Sequence, residues 1–185
     1  MEFIRYPVKV HYLQATSRDQ IRPKRSVDPS VITVKIDNPE PDFARWLYRT
    51  VGKKWYWVDR YYWNLDQWGD RFEDSAVSLW VMECDSKPVG YYEFEEQQGG
   101  DIELSYFGLL PNAIGKGLGG HMLADGLERA FDLGALRPWL HTCSLDHPNA
   151  LSSYQAGGME LYKSEQDIQL IPKSWPMPGS LSRGL

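Results

Sequence analysis

Apolar and polar positions alternate over residues 31–36, Val-Ile-Thr-Val-Lys-Ile, with the period of two that marks a strand. Residues 8–15 alternate more weakly and read as an earlier strand, and the charged, proline-containing stretch 16–28 reads as a loop. Asn38-Pro39-Glu40-Pro41 then breaks the alternation with the chemistry of a helix start: Asn at the cap, Pro and Glu in the first turn. Phe43, Trp46, Leu47 and Val51 recur at helical spacing, and Gly52 ends the run. A second helix is expected over 59–72, in one piece or two. Residues 77–84 and 88–96 are two strand-like runs joined by Asp85-Ser86-Lys87-Pro88, an antiparallel hairpin. A strand over 102–110 is cut by Pro111, and an amphipathic helix runs to about Leu133, where Gly134 stops it. A strand over 139–145, a short helix over 149–156 ended by Gly157-Gly158, and a strand region over 160–171 complete the pattern. These elements predict an α/β chain with a mixed sheet flanked by helices.

Between the 102–110 strand and the helix after it stands Ile114-Gly115-Lys116-Gly117-Leu118-Gly119-Gly120. Glycine, having no Cβ, lets a ligand approach the main chain. The first helical turn leaves N–H groups unpaired at the positive end of the helix dipole. Loop and helix start together suit a pyrophosphate. Gly115, Gly117 and Gly120 fit the dinucleotide fingerprint G-x-G-x-x-G. That fingerprint should open a βαβ unit and be followed about 20 residues on by an acid. Here an antiparallel hairpin precedes the loop, and Asp146 lies beyond that spacing. A nucleotide-dependent oxidoreductase is therefore the weaker reading, and a turn whose glycines serve only packing is weaker still.

Ile114 to Gly119 resembles the (Gln/Arg)-x-x-Gly-x-(Gly/Ala) loop of the GNAT N-acetyltransferase superfamily. Residues 147–159 are similar to that family's closing helix, Asn-x-x-Ala-x-x-x-Tyr-x-x-x-Gly-Phe, with Ala150, Tyr154 and Gly158 keeping their spacing. Glu103 stands where some members carry a glutamate general base. These matches span about residues 77–165. Ile114 departs from Gln or Arg, His147 from Asn, and Met159 from Phe. The resemblance implies a GNAT-like fold, acetyl-CoA, and transfer of an acetyl group to a primary amine by direct attack. Main-chain N–H groups from Ile114 through Gly115, Lys116, Gly117, Leu118, Gly119 and Gly120 would hold the pyrophosphate. Pantetheine would lie along Phe107, Gly108 and Leu109, whose N–H groups would also steady the oxyanion, with Asn149 nearby. Glu103 is the candidate base and Tyr154 the candidate acid. A non-catalytic acyl-CoA sensor is the alternative.

The chemistry of the residues agrees. Alternation puts Glu103 on one face with Ser105, Phe107 and Leu109, a carboxylate among largely apolar neighbours. Glu93 and Glu95 on the neighbouring strand are rival bases, directly or through a water. A tyrosine phenol titrates near 10 and is protonated at neutral pH, so Tyr154 can donate to a leaving thiolate. His11, His121, His141 and His147 lack metal-ligand spacing, so no metal is expected. His141 and Cys143 share a strand face, a weak hint of a nucleophile pair.

Composition narrows the partners. Aromatic residues make up 14% of the chain and cluster in 55–63, with Trp46, Tyr48 and Trp68 near. Part of that cluster should pack helices on the sheet, and part (Trp55, Trp57 and Trp63, with Glu93) is expected to wall an acceptor pocket for a small-molecule or peptide amine. A net charge of −5 argues against nucleic acid or anionic membrane and suits an amine. Two cysteines in apolar runs read as free thiols, and the N-terminal residues lack a signal-like apolar core, which points to the cytoplasm. One domain over 1–185 is expected, with 1–30 as an N-terminal extension and 172–185 as a loose tail, in a monomer or homodimer.

Overall fold

In the computed structural model, which describes residues 2–178, the strand-like runs join one seven-stranded sheet. Its strands are β1 (Phe3–Gln14), β2 (Val31–Ile36), β3 (Val77–Cys84), β4 (Lys87–Glu96), β5 (Asp101–Leu109), β6 (Arg137–Cys143) and β7 (Glu160–Pro172). Four helices connect them: α1 (Pro41–Gly52), α2 (Leu65–Glu73), α3 (Leu118–Asp132) and α4 (Ala150–Ala156). The order across the sheet is β2-β3-β4-β5-β6-β1-β7. Every neighbouring pair is antiparallel except β5 with β6, which α3 joins as a parallel crossover. The β3–β4 hairpin turns through Asp85 and Ser86, both with positive φ, as a two-residue turn of the primed type requires.

Each face of the sheet carries its own core. On one, Met122, Leu123, Leu127 and Ala130 of α3 pack on Leu13, Tyr92, Phe94, Leu104 and Leu140. On the other, Leu47, Tyr48 and Val51 of α1 and Trp68 of α2 pack on Leu79, Val81 and Tyr91. Most of the aromatic cluster is therefore packing material, as one of its two readings had it.

Three details differ from the sequence expectation. The segment 1–30 does not stand aside as an extension, because β1 fills the place between β6 and β7. The helix expected over 59–72 begins only at Leu65, where Asn64 and Gln67 close a capping box. Residues 59–63 turn instead: the Tyr48 hydroxyl accepts from the Arg60 N–H at 3.0 Å, and Arg49 Nε donates to the Tyr61 carbonyl at 3.1 Å. At α1 the cap is Glu40, not Asn38, whose φ of 49° bends the chain before Pro41. Of the expected loose tail, Trp175 packs on Tyr61 with ring centroids 4.8 Å apart, and 179–185 lie outside the described residues.

Candidate active site

β5 and β6 pair only at Asp101 with Arg137, Ile102 with Pro138 and Glu103 with Trp139. Beyond that fork the strands part, and a cleft of about 660 Å³ opens between them. Residues 104–109 of β5 form one wall, and Leu140, His141 and Cys143 of β6 form the other. Parting leaves edge N–H and C=O groups of two strands without a ladder partner, so the cleft walls are rich in main-chain donors and acceptors.

A bulge shapes the β5 wall. Glu93 pairs with Tyr106 while the next residue, Phe94, pairs with Leu104, so Ser105 is the extra residue. It reverses the strand's alternation. Tyr106 faces the α1–α2 core, and Phe107 and Leu109 face the α3 core. Glu103 thus shares its face with Tyr106 and not with Phe107 and Leu109. Its surroundings are polar, not the apolar ones expected: Gln97 Nε2 donates to Glu103 Oε2 at 3.0 Å, and His141 Nδ1 lies 3.3 Å from Oε1. Gln97 is fixed in turn by the Trp139 indole N–H at 3.1 Å.

The glycine loop borders the same cleft through Ile114, Gly115, Gly117, Gly119 and Gly120. Gly115 and Gly117 hold φ of 83° and 78°, and Gly117 caps α3. A Cβ built on either would meet no atom within 4 Å. These two glycines therefore do not make room for packing; they hold a left-handed backbone beside open space. No side chain caps α3 and no acid lies in its first turn, which leaves its N–H groups free to face an anion. The arrangement fits a pyrophosphate. Lys24 lies against Gly120 on the cleft wall and brings a cation that Ile114 cannot supply.

Of the other expected residues, Phe107, Gly108, Leu109, Asn149, Tyr154, Trp55 and Trp57 line the cleft. Lys116 and Leu118 do not; the Leu118 side chain is buried in the α3 core. Trp63 packs on Trp68 at 5.3 Å, outside the cleft. Glu93 does not reach it either. It is fully buried, with Arg60 Nη1 donating to its Oε2 at 2.7 Å, because its face of β4 lies beneath the turn at 59–63. Glu95 is engaged by Arg71 at 2.6 Å.

Tyr154 packs edge-on against Phe107 at 5.8 Å. Burial and then the nearby Asp146 push its phenol well above the ordinary value, so it keeps its proton at neutral pH. Burial and then Asp146 also push the Cys143 thiol up to about 11, which leaves little thiolate and disfavours a nucleophile pair with His141. Asp59, Asp146 and Asp167 line the cleft as well. Asp146 accepts from Thr142 Oγ1 at 2.7 Å and from the Cys143 N–H at 2.9 Å. Lys24, Asp59, Asp146 and His141 have no local motif that marks them; separate segments bring them together.

A model of the acetyltransferase (GNAT) family matches residues 41–158. The chain belongs to this family. No curated protein sequence matches it. Solved structures share the fold at low identity. A GCN5-related N-acetyltransferase from Kribbella flavida is 18% identical with a TM-score of 0.60, over 91% of this chain and 58% of that one. A second, from Sphaerobacter thermophilus, is 12% identical with a TM-score of 0.67, over 89% and 53%. The chain thus spans little more than half the length of these two relatives. An aminoglycoside acetyltransferase from an uncultured soil metagenomic sample is 14% identical with a TM-score of 0.59, over 71% of this chain and 90% of that one. The mixed sheet flanked by helices is the GNAT fold of these neighbours. No helix among the described residues is long and apolar enough to cross a membrane.

Proposed function

We propose that the protein is an acetyl-CoA-dependent N-acetyltransferase acting on a primary amine. The observation that carries the reading is the forked cleft with its open glycine cradle at the start of α3. Acetyl-CoA supplies the activated acetyl group. Main-chain N–H groups of the loop and the first turn of α3 hold its pyrophosphate, with Lys24 as the added cation. The unpaired edge of β5 at Phe107, Gly108 and Leu109 offers donors to the pantetheine and to an oxyanion. Tyr154 holds the proton that a leaving thiolate needs. The base lies at the fork, where Glu103 and His141 meet. Trp55, Trp57 and the acids Asp59, Asp146 and Asp167 form walls suited to an ammonium group. Tyr154 and His141 lining one cleft with the cradle favours turnover over a binding-only sensor, which would need no proton donor there.

The test has two arms. Calorimetry should detect acetyl-CoA binding, and the ligand should raise the melting temperature by mass action. An amine panel should then give acetyl-CoA-dependent thiol release. No binding at millimolar acetyl-CoA would reject the assignment, and binding without thiol release for any amine would favour the sensor.

A further inference from the structure

We infer that His141, through Nε2, is the group that takes the proton from the acceptor amine, and that Glu103 is a positioning residue for the His141 ring. The inference rests on the acetyl-transfer reading and deepens it. His141 stands two residues beyond the last β5–β6 pair, on the cleft wall, where the strands have just parted. Its side chain is 47% exposed, whereas that of Glu103 is 13% exposed and does not border the cleft. Glu103 has one carboxylate oxygen on Gln97 and the other on His141 Nδ1. Gln97 is itself fixed by Trp139. This chain of contacts orients the ring: a carboxylate at Nδ1 favours the tautomer with its proton there, and leaves the Nε2 lone pair as the available base. A positioned imidazole on the wall is better placed to reach a substrate than a carboxylate behind it.

The charges around the ring act in the same direction. Glu103 faces His141 from β5, Asp146 from the turn after β6, and Asp59 from the connection between α1 and α2; the Tyr12 ring of β1 lies 6.0 Å away. The hydrogen bond to Glu103, above all, raises the His141 pKa over its ordinary value, against a smaller opposing effect of burial. A stronger base results. In the step, Nε2 receives one proton from the ammonium. The freed nitrogen lone pair forms the C–N bond, the C–S bond breaks with its electrons on sulfur, and the Tyr154 hydroxyl protonates the thiolate. The acylated nitrogen, still carrying two protons, loses one of them to solvent and becomes the neutral amide. Solvent returns a proton to Tyr154 and removes one from His141.

The experiment compares His141→Gln, His141→Ala and Glu103→Gln with the parent protein, after melting curves and acetyl-CoA binding have shown each to be folded. The parent's kcat/KM should show a low-pH limb above the ordinary histidine value. His141→Gln should lose that limb and fall roughly 10²-fold or more, and added imidazole should restore part of the rate to His141→Ala. Glu103→Gln should lose less rate than His141→Gln and move the limb to lower pH, since the charge that raises it is gone. Nitrogen-15 NMR supplies a readout apart from activity: the neutral ring of His141 should carry its proton on Nδ1, and its titration should shift down in Glu103→Gln. A parental rate and limb in His141→Gln, or a neutral ring protonated at Nε2, would overturn the inference while leaving acetyl transfer intact. Loss of the limb and rate in Glu103→Gln alone would return the base role to the carboxylate. A parent that acetylates no amine would overturn the transferase reading, and this inference with it.

Discussion

Tyr154 is the side chain whose environment matches its proposed task most directly. Burial and the Asp146 charge both oppose phenolate formation, so the group enters the reaction protonated at any pH near neutrality. Its ring also packs on Phe107, so the hydroxyl can be removed with little loss of packing. Tyr154→Phe is expected to keep the melting temperature and the acetyl-CoA affinity, while kcat falls by roughly 10²-fold under conditions where chemistry limits the rate. Equal kcat in parent and variant under those conditions would remove Tyr154 from the reaction. The position of Tyr154 was legible because a short motif with fixed spacing on one helix carries it. The setting of Glu93 was not. Nothing local distinguishes a carboxylate aimed at a pocket from one lying under Arg60, and the two differ only through the turn at residues 59–63, which brings Arg60 over that face. Lys24 was hidden for a related reason: its loop reaches the cradle across the fold, far from the glycines in sequence.

Among the elements, hydrophobic period located every strand, and the bounds of β2 and β3 matched the expectation to the residue. What period cannot carry is parity across a bulge, and one extra residue in β5 was enough to move Phe107 and Leu109 to the opposite face from Glu103. The junction after α4 is equally specific. Gly158, the glycine of the closing-helix motif, holds φ of 103°, and a Cβ there would overlap the Gln20 carbonyl. The Arg22 N–H donates to the Gly157 carbonyl at 2.9 Å in the same joint. The motif glycine thus seats α4, with Tyr154, against the N-terminal segment. Gly158→Ala is expected to lower stability by about 1–3 kcal/mol from the backbone conformation alone, and by more if the Gln20 segment must shift. A chemical denaturation curve measures this. A midpoint equal to that of the parent would show that the joint relaxes without cost.

Over the whole molecule, the matched family region and the folded unit are not the same stretch of chain. The family match ends at 41 and 158, yet β1, β2 and β7 lie outside those bounds. β1 covers the edge of β6 along Trp139 to Cys143, and its Leu13 enters the core beneath α3. Val8, Val10 and Tyr12 of the same strand line the cleft. Removing β1 would bare the β6 edge, open a void under α3 and take away part of the acceptor wall. A fragment of residues 41–158 keeps the glycine loop, Glu103, His141 and Tyr154, so a site built only from the matched region would survive in it. The sheet order predicts the reverse: the fragment should unfold without a cooperative transition, lose the near-ultraviolet circular dichroism of its packed aromatics, and bind acetyl-CoA far more weakly than residues 1–178. Calorimetry and circular dichroism on the two chains side by side decide the matter. A soluble fragment with the longer chain's spectrum and acetyl-CoA affinity would mean that the strands outside the match only decorate the sheet; weak binding with lost cooperativity would mean that those flanking strands, β1 among them, are part of the folded unit that carries the site.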